Sequence, residues 1–299
     1  MDKKYFKVAG ITFEIRSEYP FTDRTFHHRL RAFEVKAPGP DLIRIEHVFS
    51  IPEEFKNLDE MDAFSKSPAW TVFRTDNKWI YKKTAVPVSC TTSAFFELSM
   101  DFRQARVYSD CITEKDFGDG NYTSLTLFAC DQVLITRLLN QRQGALLHSN
   151  GFLFGKAGCL LSGPSNVGKT TLSRMLEDRG HSIVSDDRTI VTLTENQIQM
   201  HGSWLHGTTP RTHRGTYVLN AMFFLEQDQK NVIIPITNTN QKIGRILQAV
   251  VRPHSPKKEW EELLRNIEAM VKTVPCYRLL FDLSGDIVDV IARMKVDKA

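Results

Sequence analysis

The chain has little cysteine, little net charge and no long apolar run, and each shortage excludes something. Five cysteines occur in 299 residues, Cys90, Cys111, Cys130, Cys159 and Cys276. The closest two stand 19 residues apart, so neither a CxxC zinc knuckle nor a dense disulfide framework fits. Five reduced, mostly buried thiols are the expectation. Every apolar stretch is interrupted short of the roughly 18 uncharged residues that a spanning helix needs. The start, MDKKYFKVAG, lacks the apolar core of a signal peptide, so a cytoplasmic protein with no membrane partner is expected. Lys and Arg number 39 against 35 Asp and Glu, for a net charge of +4. That surplus is too mild to argue for nucleic acid. No internal repeat, low-complexity tract or HExxH helix is found.

What is present is ordinary globular composition, 41% hydrophobic and 25% charged, enough for a sizeable core in one or two domains. The first 140 or so residues read as strands and turns, among them VAGITFEIRS, IRIEHVFSIP, WTVFRTDNKWIYKK and SAFFELSMDFRQARVYS. A short helix is expected over DQVLITRLLNQ. From Gly144 strand and helix alternate, which argues for an α/β sheet. GALLH, FLFGK and AGCLLSG read as strands, and Leu172, Met175 and Leu176 form one helical stripe that Gly180 closes with a left-handed cap. YVLNAMFFLEQ and VIIPIT are expected as neighbouring strands. A long amphipathic helix follows, with Ser255 as N-cap and Pro256 in first position, and CYRLLFDLSGDIVDVIARM reads as strand, turn and helix. The predicted division is a β-rich domain over 1–135 and an α/β domain over 136–299.

The strongest chemical signal is GPSNVGKTT, Gly163 to Thr171, which fits G-x-x-x-x-G-K-[ST]. Such a loop presents successive backbone amides to phosphate, so Gly163 and Gly168 fall where a side chain would block approach or where φ turns positive. The helix that follows adds the positive end of its dipole. Pro164, Ser165, Asn166 and Val167 complete the cradle, Lys169 supplies a point charge, and the Thr170 hydroxyl, followed by Thr171, suits Mg²⁺. A buried strand pattern precedes the loop and a helix pattern follows it, the context the motif requires.

Asp186 and Asp187 close the strand HSIVSDD, at the sheet edge where α/β proteins place ligands. One carboxylate suits a metal and the other a proton from a hydroxyl; a surface turn is the bland alternative. His148, in ALLHSNG, reads equally as a satisfied strand-end histidine or a site residue. The segment HGSWLHGTTPRTHRG, with His201, His206, His213, Arg211 and Arg214, reads either as a loop offering cations to phosphate or as a solvated basic loop. No [NT]KxD element follows the loop, which disfavours a GTPase.

These residues resemble the HPr serine kinase/phosphorylase family, and more closely its small relatives encoded with modified-peptide pathways, such as the lasso-peptide kinases, which share the nucleotide fold of ATP-type phosphoenolpyruvate carboxykinase. The resemblance runs from Leu146 to Val290 through LLHSNGFLF, GPSNVGKTTLSRML, RGHSIVSDD, MFFLEQ and VPCYRLLFDLSGDIVDVI. His148 stands 21 residues before Lys169 and Asp187 stands 18 after it, as in that family. The resemblance implies an α/β C-terminal P-loop domain behind a mainly β N-terminal domain. It implies Asp187 as base, Asp186 and Thr170 on Mg²⁺, and His148 as the active-site histidine. The family's further metal-binding glutamate has no counterpart: Glu195 is the one carboxylate between Asp187 and Glu226. His206 or water, and Arg211, Arg214 or Arg252 for the family's late arginine, remain open substitutes.

The expected activity is an ATP- and Mg²⁺-dependent kinase of a serine-type hydroxyl on a peptide or small protein, with Asp187, His148 and Lys169 as catalytic residues. A kinase of a small hydroxyl metabolite such as free serine, and an inactive nucleotide-binding regulatory protein, are the alternatives. Acceptor recognition is assigned to the N-terminal domain by position, and the oligomeric state stays open.

Overall fold

The computed structural model describes residues 2–83, 94–195, 197–205, 213–252 and 256–294. It is a mixed α/β protein with two large sheets, and it divides into compact units Met1–Leu134 and Ile135–Ala299.

The first unit is built on nine strands: β1 (Asp2–Val8), β2 (Ile11–Ser17), β3 (Glu34–Val35), β4 (Asp41–Val48), β5 (Ser65–Lys66), β6 (Trp70–Arg74), β7 (Lys78–Lys83), β8 (Ala94–Ser99) and β9 (Gln104–Tyr108). They run in the order β3-β1-β2-β4-β9-β8-β7-β6-β5. The β2–β4 and β4–β9 pairs are parallel. Short helices α1 (His28–Arg31) and α2 (Glu53–Lys56) interrupt the strands, and α3 (Glu114–Gly118) follows them. Period-two alternation decides which face is core. Phe13, Ile15, Ile43 and Ile45 are buried, while Arg16, Arg44 and Glu46 on the same strands point the other way, toward solvent.

Helix α4 (Asp131–Gln141) spans the expected DQVLITRLLNQ, and the division between units falls inside it. The second sheet holds β10 (Gly144–Leu147), β11 (Ser149–Phe154), β12 (Ala157–Ser162), β13 (Ser182–Ser185), β14 (Thr189–Leu193), β15 (Ile198–His201), β16 (Thr216–Gln227), β17 (Val232–Pro235) and β18 (Cys276–Phe281). Its helices are α5 (Lys169–Asp178), α6 (Thr239–Ala249), α7 (Lys257–Thr273) and α8 (Ile287–Arg293). The sheet order is β10-β14-β15-β16-β12-β11-β13, with β18 alongside β16 and β17 beyond it.

Strand β16 organises this unit. It runs parallel to both β12 and β18. Ala221, Phe223 and Leu225 pack with Leu172 and Leu176 of α5 and Ile287 of α8. Met222 and Phe224 pack on the opposite face with Ile246 of α6 and Ile267 and Met270 of α7. One strand thus feeds two cores, and helices cover both faces.

Three expectations are corrected, and two features go unread. Strands β16 and β17 are not neighbours, because β18 lies between them, paired to both. Parallel pairing to β16 is available only after a crossover, and α6 and α7 supply it, so the later strand takes the inner position. Helix α7 begins at Lys257 with Pro256 as its cap residue, one position later than expected; Ser255 lies outside the described residues. Helix α6, capped by the Asn238 side chain on the Gln241 amide at 3.0 Å, goes unread in the sequence pattern, as does the β14–β15 hairpin. Cys111 is disulfide-bonded, whereas Cys130, Cys159 and Cys276 are free and buried. Spacing rules exclude short-range knuckles but do not bear on a bridge between residues distant in sequence. Cys90 lies outside the described residues.

Among the described residues no helix is long and apolar enough to cross a membrane.

Two tests follow from burial. Phe223 is fully buried, and Phe223→Ala should cost about 3–5 kcal/mol in denaturant unfolding. His47 and His201 are also buried, and burial pushes each pKa down to about 4 from the ordinary 6.5. The unfolded chain therefore takes up protons below pH 6.5 that the folded chain refuses until about 4, so stability falls as pH drops through that window. The urea midpoint should be lower at pH 5 than at pH 7, and His47→Gln should lessen the difference.

Candidate functional site

The loop Gly163–Gly168 joins the end of β12 to the start of α5. Two left-handed residues bend it, Asn166 at φ +66 and Gly168 at φ +106. Asn tolerates this region and Gly enters it freely. A Cβ on Gly168 would meet the Phe281 ring at 2.8 Å, and one on Gly163 would meet Val167 at 2.9 Å. Gln227, the last residue of β16, donates its side-chain amide to the carbonyls of Asn166 and Val167, each at 3.4 Å. Lys169 heads the helix and curls back, donating from Nζ to the carbonyls of Gly163 (2.8 Å) and Pro164 (3.1 Å). Thr170 and Thr171 follow in the first turn. At the other end of α5 the amides of Gly180 and His181 bond the carbonyls of Glu177 and Leu176. Gly180 sits at φ +84, so the cap is a Schellman motif.

Asp186 and Asp187 follow β13 directly. Asp187 also adopts a left-handed backbone, at φ +70, and a buried relay fixes it there. Its amide donates to Asn150 Oδ1 at 2.9 Å, and Asn150 Nδ2 donates to Ser173 Oγ of α5 at 2.8 Å. The Asp187 carboxylate meets His148 Nε2 at 2.8 Å through Oδ1 and Arg188 Nη1 at 2.5 Å through Oδ2. His148 sits between β10 and β11, where its backbone amide bonds Ala249 at the end of α6. Asp186 is buried.

The electrostatics are those of a compact mixed cluster. Burial pushes the Lys169 ammonium below the ordinary lysine range; Asp187 and Asp186 pull it back up, and Arg188 lowers it. Burial likewise holds His148 below its usual value, against the raising influence of Asp187. Lys169 thus lies within electrostatic reach of Asp187, Arg188 and Asp186, and His148 of Asp187, Lys169 and Arg188. Ser162 Oγ, buried where β12 ends, has no hydrogen-bond partner among the described residues.

Other candidates lie elsewhere. Glu195 is in the turn between β14 and β15. His201, read as part of a loop that either offers cations to phosphate or is solvated, is buried in the sheet, bonded to Thr192 at 2.8 Å and Thr216 at 2.9 Å. Its pKa near 4 keeps it neutral, which corrects that expectation. Arg214 and His213 are exposed, and Arg252 lies over the Trp260 ring at 5.9 Å. His206 and Arg211 fall outside the described residues. Sequence reasoning does not single out Arg188, Asn150 or Ser173. Only adjacency to Asp186-Asp187 marks Arg188, and nothing marks the other two.

Residues 117–296 match the sequence profile of a family described as SynChlorMet cassette protein ScmC. The chain belongs to that family. The matched stretch includes every residue of the cluster and stops short of the strands of the first unit. No curated protein matches the chain. A solved structure described as the Hpr(Ser) kinase/phosphatase from Coxiella burnetii is similar over 51% of this chain and 98% of its own, with 15% identity and a TM-score of 0.32.

Asn150 is the joint of the cluster, so Asn150→Ala should strand the Asp187 amide and the Ser173 hydroxyl. The expected loss is about 1–3 kcal/mol of stability, read by urea unfolding, together with a faster-exchanging Asp187 amide.

Proposed function

We propose that the chain is an ATP-dependent phosphotransferase acting on a hydroxyl, of serine type, carried by a peptide or small protein. The observation that carries this reading is the meeting of three elements: the glycine-rich loop, Lys169 at the head of its helix, and the His148–Asp187 pair at the end of β13.

The loop amides and Lys169 would receive the triphosphate. Lys169 already donates to two loop carbonyls and would exchange them for phosphate oxygens. The donor set for Mg²⁺ fits a hard cation: the Thr170 hydroxyl, the Asp186 carboxylate and the unpartnered Ser162 hydroxyl are all oxygens. Bound there, Mg²⁺ would neutralise charge on the transferring group. Asp187 would orient the acceptor hydroxyl and take its proton as the new oxygen–phosphorus bond forms and ADP departs with the bridging oxygen. His148 would hold Asp187 Oδ1, leaving Oδ2 to the acceptor once Arg188 releases it. Arg188, freed, is a cation available to the phosphoryl oxygens.

One observation favours a second reading. Both Asp187 oxygens are already engaged, by His148 and Arg188. A nucleotide-binding regulatory protein that transfers nothing would tolerate that arrangement permanently. A kinase of free serine is separated from the peptide kinase by acceptor size alone.

Purified protein incubated with γ-labelled ATP and Mg²⁺ should label a serine peptide, or free serine if the acceptor is small. Asp187→Asn should lower transfer by about 10²-fold or more while leaving ATP binding intact, and Lys169→Ala should weaken both. Tight, Lys169-dependent ATP binding with no labelled acceptor would instead establish the regulatory reading.

A further inference from the structure

The solvent face of the first sheet carries an open cleft of about 580 Å³, in the size range of small-ligand and short-peptide sites. It lies wholly ahead of the family-matched segment. Strands β2, β4, β9, β8 and β7 form its floor, and its charged lining is Arg16, Arg44, Arg106 and Lys78 against Glu46 and Glu97. Both of those carboxylates are already engaged. Glu46 accepts from Arg106 at 2.9 Å, and Glu97 accepts from Lys78 at 2.9 Å with Arg106 at 3.7 Å.

Arg16 and Arg44 differ, because they share one carboxylate. Glu14 is buried between them and meets the Nε of each, at 2.6 Å and 3.5 Å. Their side chains are about half exposed, 43% and 53%, and their terminal amino groups have no hydrogen-bond partner among the described residues. A guanidinium pinned through Nε by a buried acid loses little further freedom on binding and turns its outer edge toward solvent. This pinned fork, with the Arg44 guanidinium on the adjacent strand in looser ion-pair contact with the same acid at 3.5 Å, matches a carboxylate in a way that lysines would not.

The rest of the lining argues for an extended occupant. Beyond the arginine pair the cleft continues over Gln104, Ser99 and Asn77 to Lys78, a polar strip of donors and acceptors. A simple anion would fill only the arginine end. The two apolar residues of the lining, Ile45 and Ala105, are buried in the sheet, so the occupant is polar.

We propose that this cleft docks a peptide segment that presents a carboxylate, seated on Arg16 and Arg44, with its polar remainder along Gln104, Ser99 and Lys78. The docking is independent of phosphate transfer and is testable without nucleotide.

The test uses the full chain and a fluorescein-labelled hexapeptide containing Glu, beside its Gln counterpart, read by anisotropy at low salt. The Glu peptide should bind about tenfold tighter or better. Arg44→Ala, which leaves Glu14 paired to Arg16, should remove most of that advantage, and Arg44→Lys should restore only part of it. Lys169→Ala should leave peptide affinity unchanged. Equal affinity for the Glu and Gln peptides, or undiminished binding in both Arg44 variants, would overturn the proposal. So would loss of binding in Lys169→Ala, which would place the peptide at the glycine-rich loop. Displacement by inorganic phosphate at concentrations as low as the peptide's own would reduce the cleft to a simple anion site and overturn the peptide assignment. Should Arg44→Ala melt early in circular dichroism, the Arg44→Lys and Gln-peptide comparisons decide alone.

Discussion

Between Ala221 and Leu225 strand β16 carries no polar side chain, because both of its faces are interior. That constraint underlies the second unit. A strand buried on two sides must be covered by helices on both, so α5 and α8 take one face and α6 and α7 the other. Parallel pairing to β12 then sets Ser162, its last residue, beside Phe224, so β16 runs on past the start of the glycine-rich loop and its last residue, Gln227, braces that loop. The loop's position is therefore a consequence of packing several residues away from it.

The cluster beside the loop holds opposite charges in a partly dry space. Its lysine and histidine are both driven toward neutrality by burial and both drawn back by Asp187. Such mutual compensation is what an opposite charge beside a partly buried cation does. The left-handed backbone at Asp187 is held in place by the Asn150–Ser173 relay.

The first unit works by a simpler rule. On β2 and β4 the residues alternate, so one face is a core of phenylalanine and isoleucine and the other carries a lattice of ion pairs, whereas β6, β7 and β8 are buried on both faces, with Phe73, Ile80 and Phe95 packed against Phe55. Most of that lattice is self-satisfied. The exception is the pair of arginines around Glu14, where the charges do not balance locally.

Much of the fold was legible in the residues. Helical spacing marked α4 and α5, Gly180 marked the end of α5, and apolar runs marked β10 to β12 and β18. Short or polar elements were not legible: α6 looks like a loop because TNTNQK precedes its apolar stripe, and β14 and β15 are too brief to stand out. The sequence by itself determined the local chemistry, a glycine-rich turn before a lysine-headed helix and an acidic pair after a short strand, because these depend on backbone rules acting over a few residues. Tertiary structure alone decided that β18 separates β16 from β17, that His201 is a neutral core residue, and that Asn150, Ser173 and Arg188 gather on Asp187. Each of those depends on contacts between residues far apart in the chain, which neither periodicity nor spacing encodes.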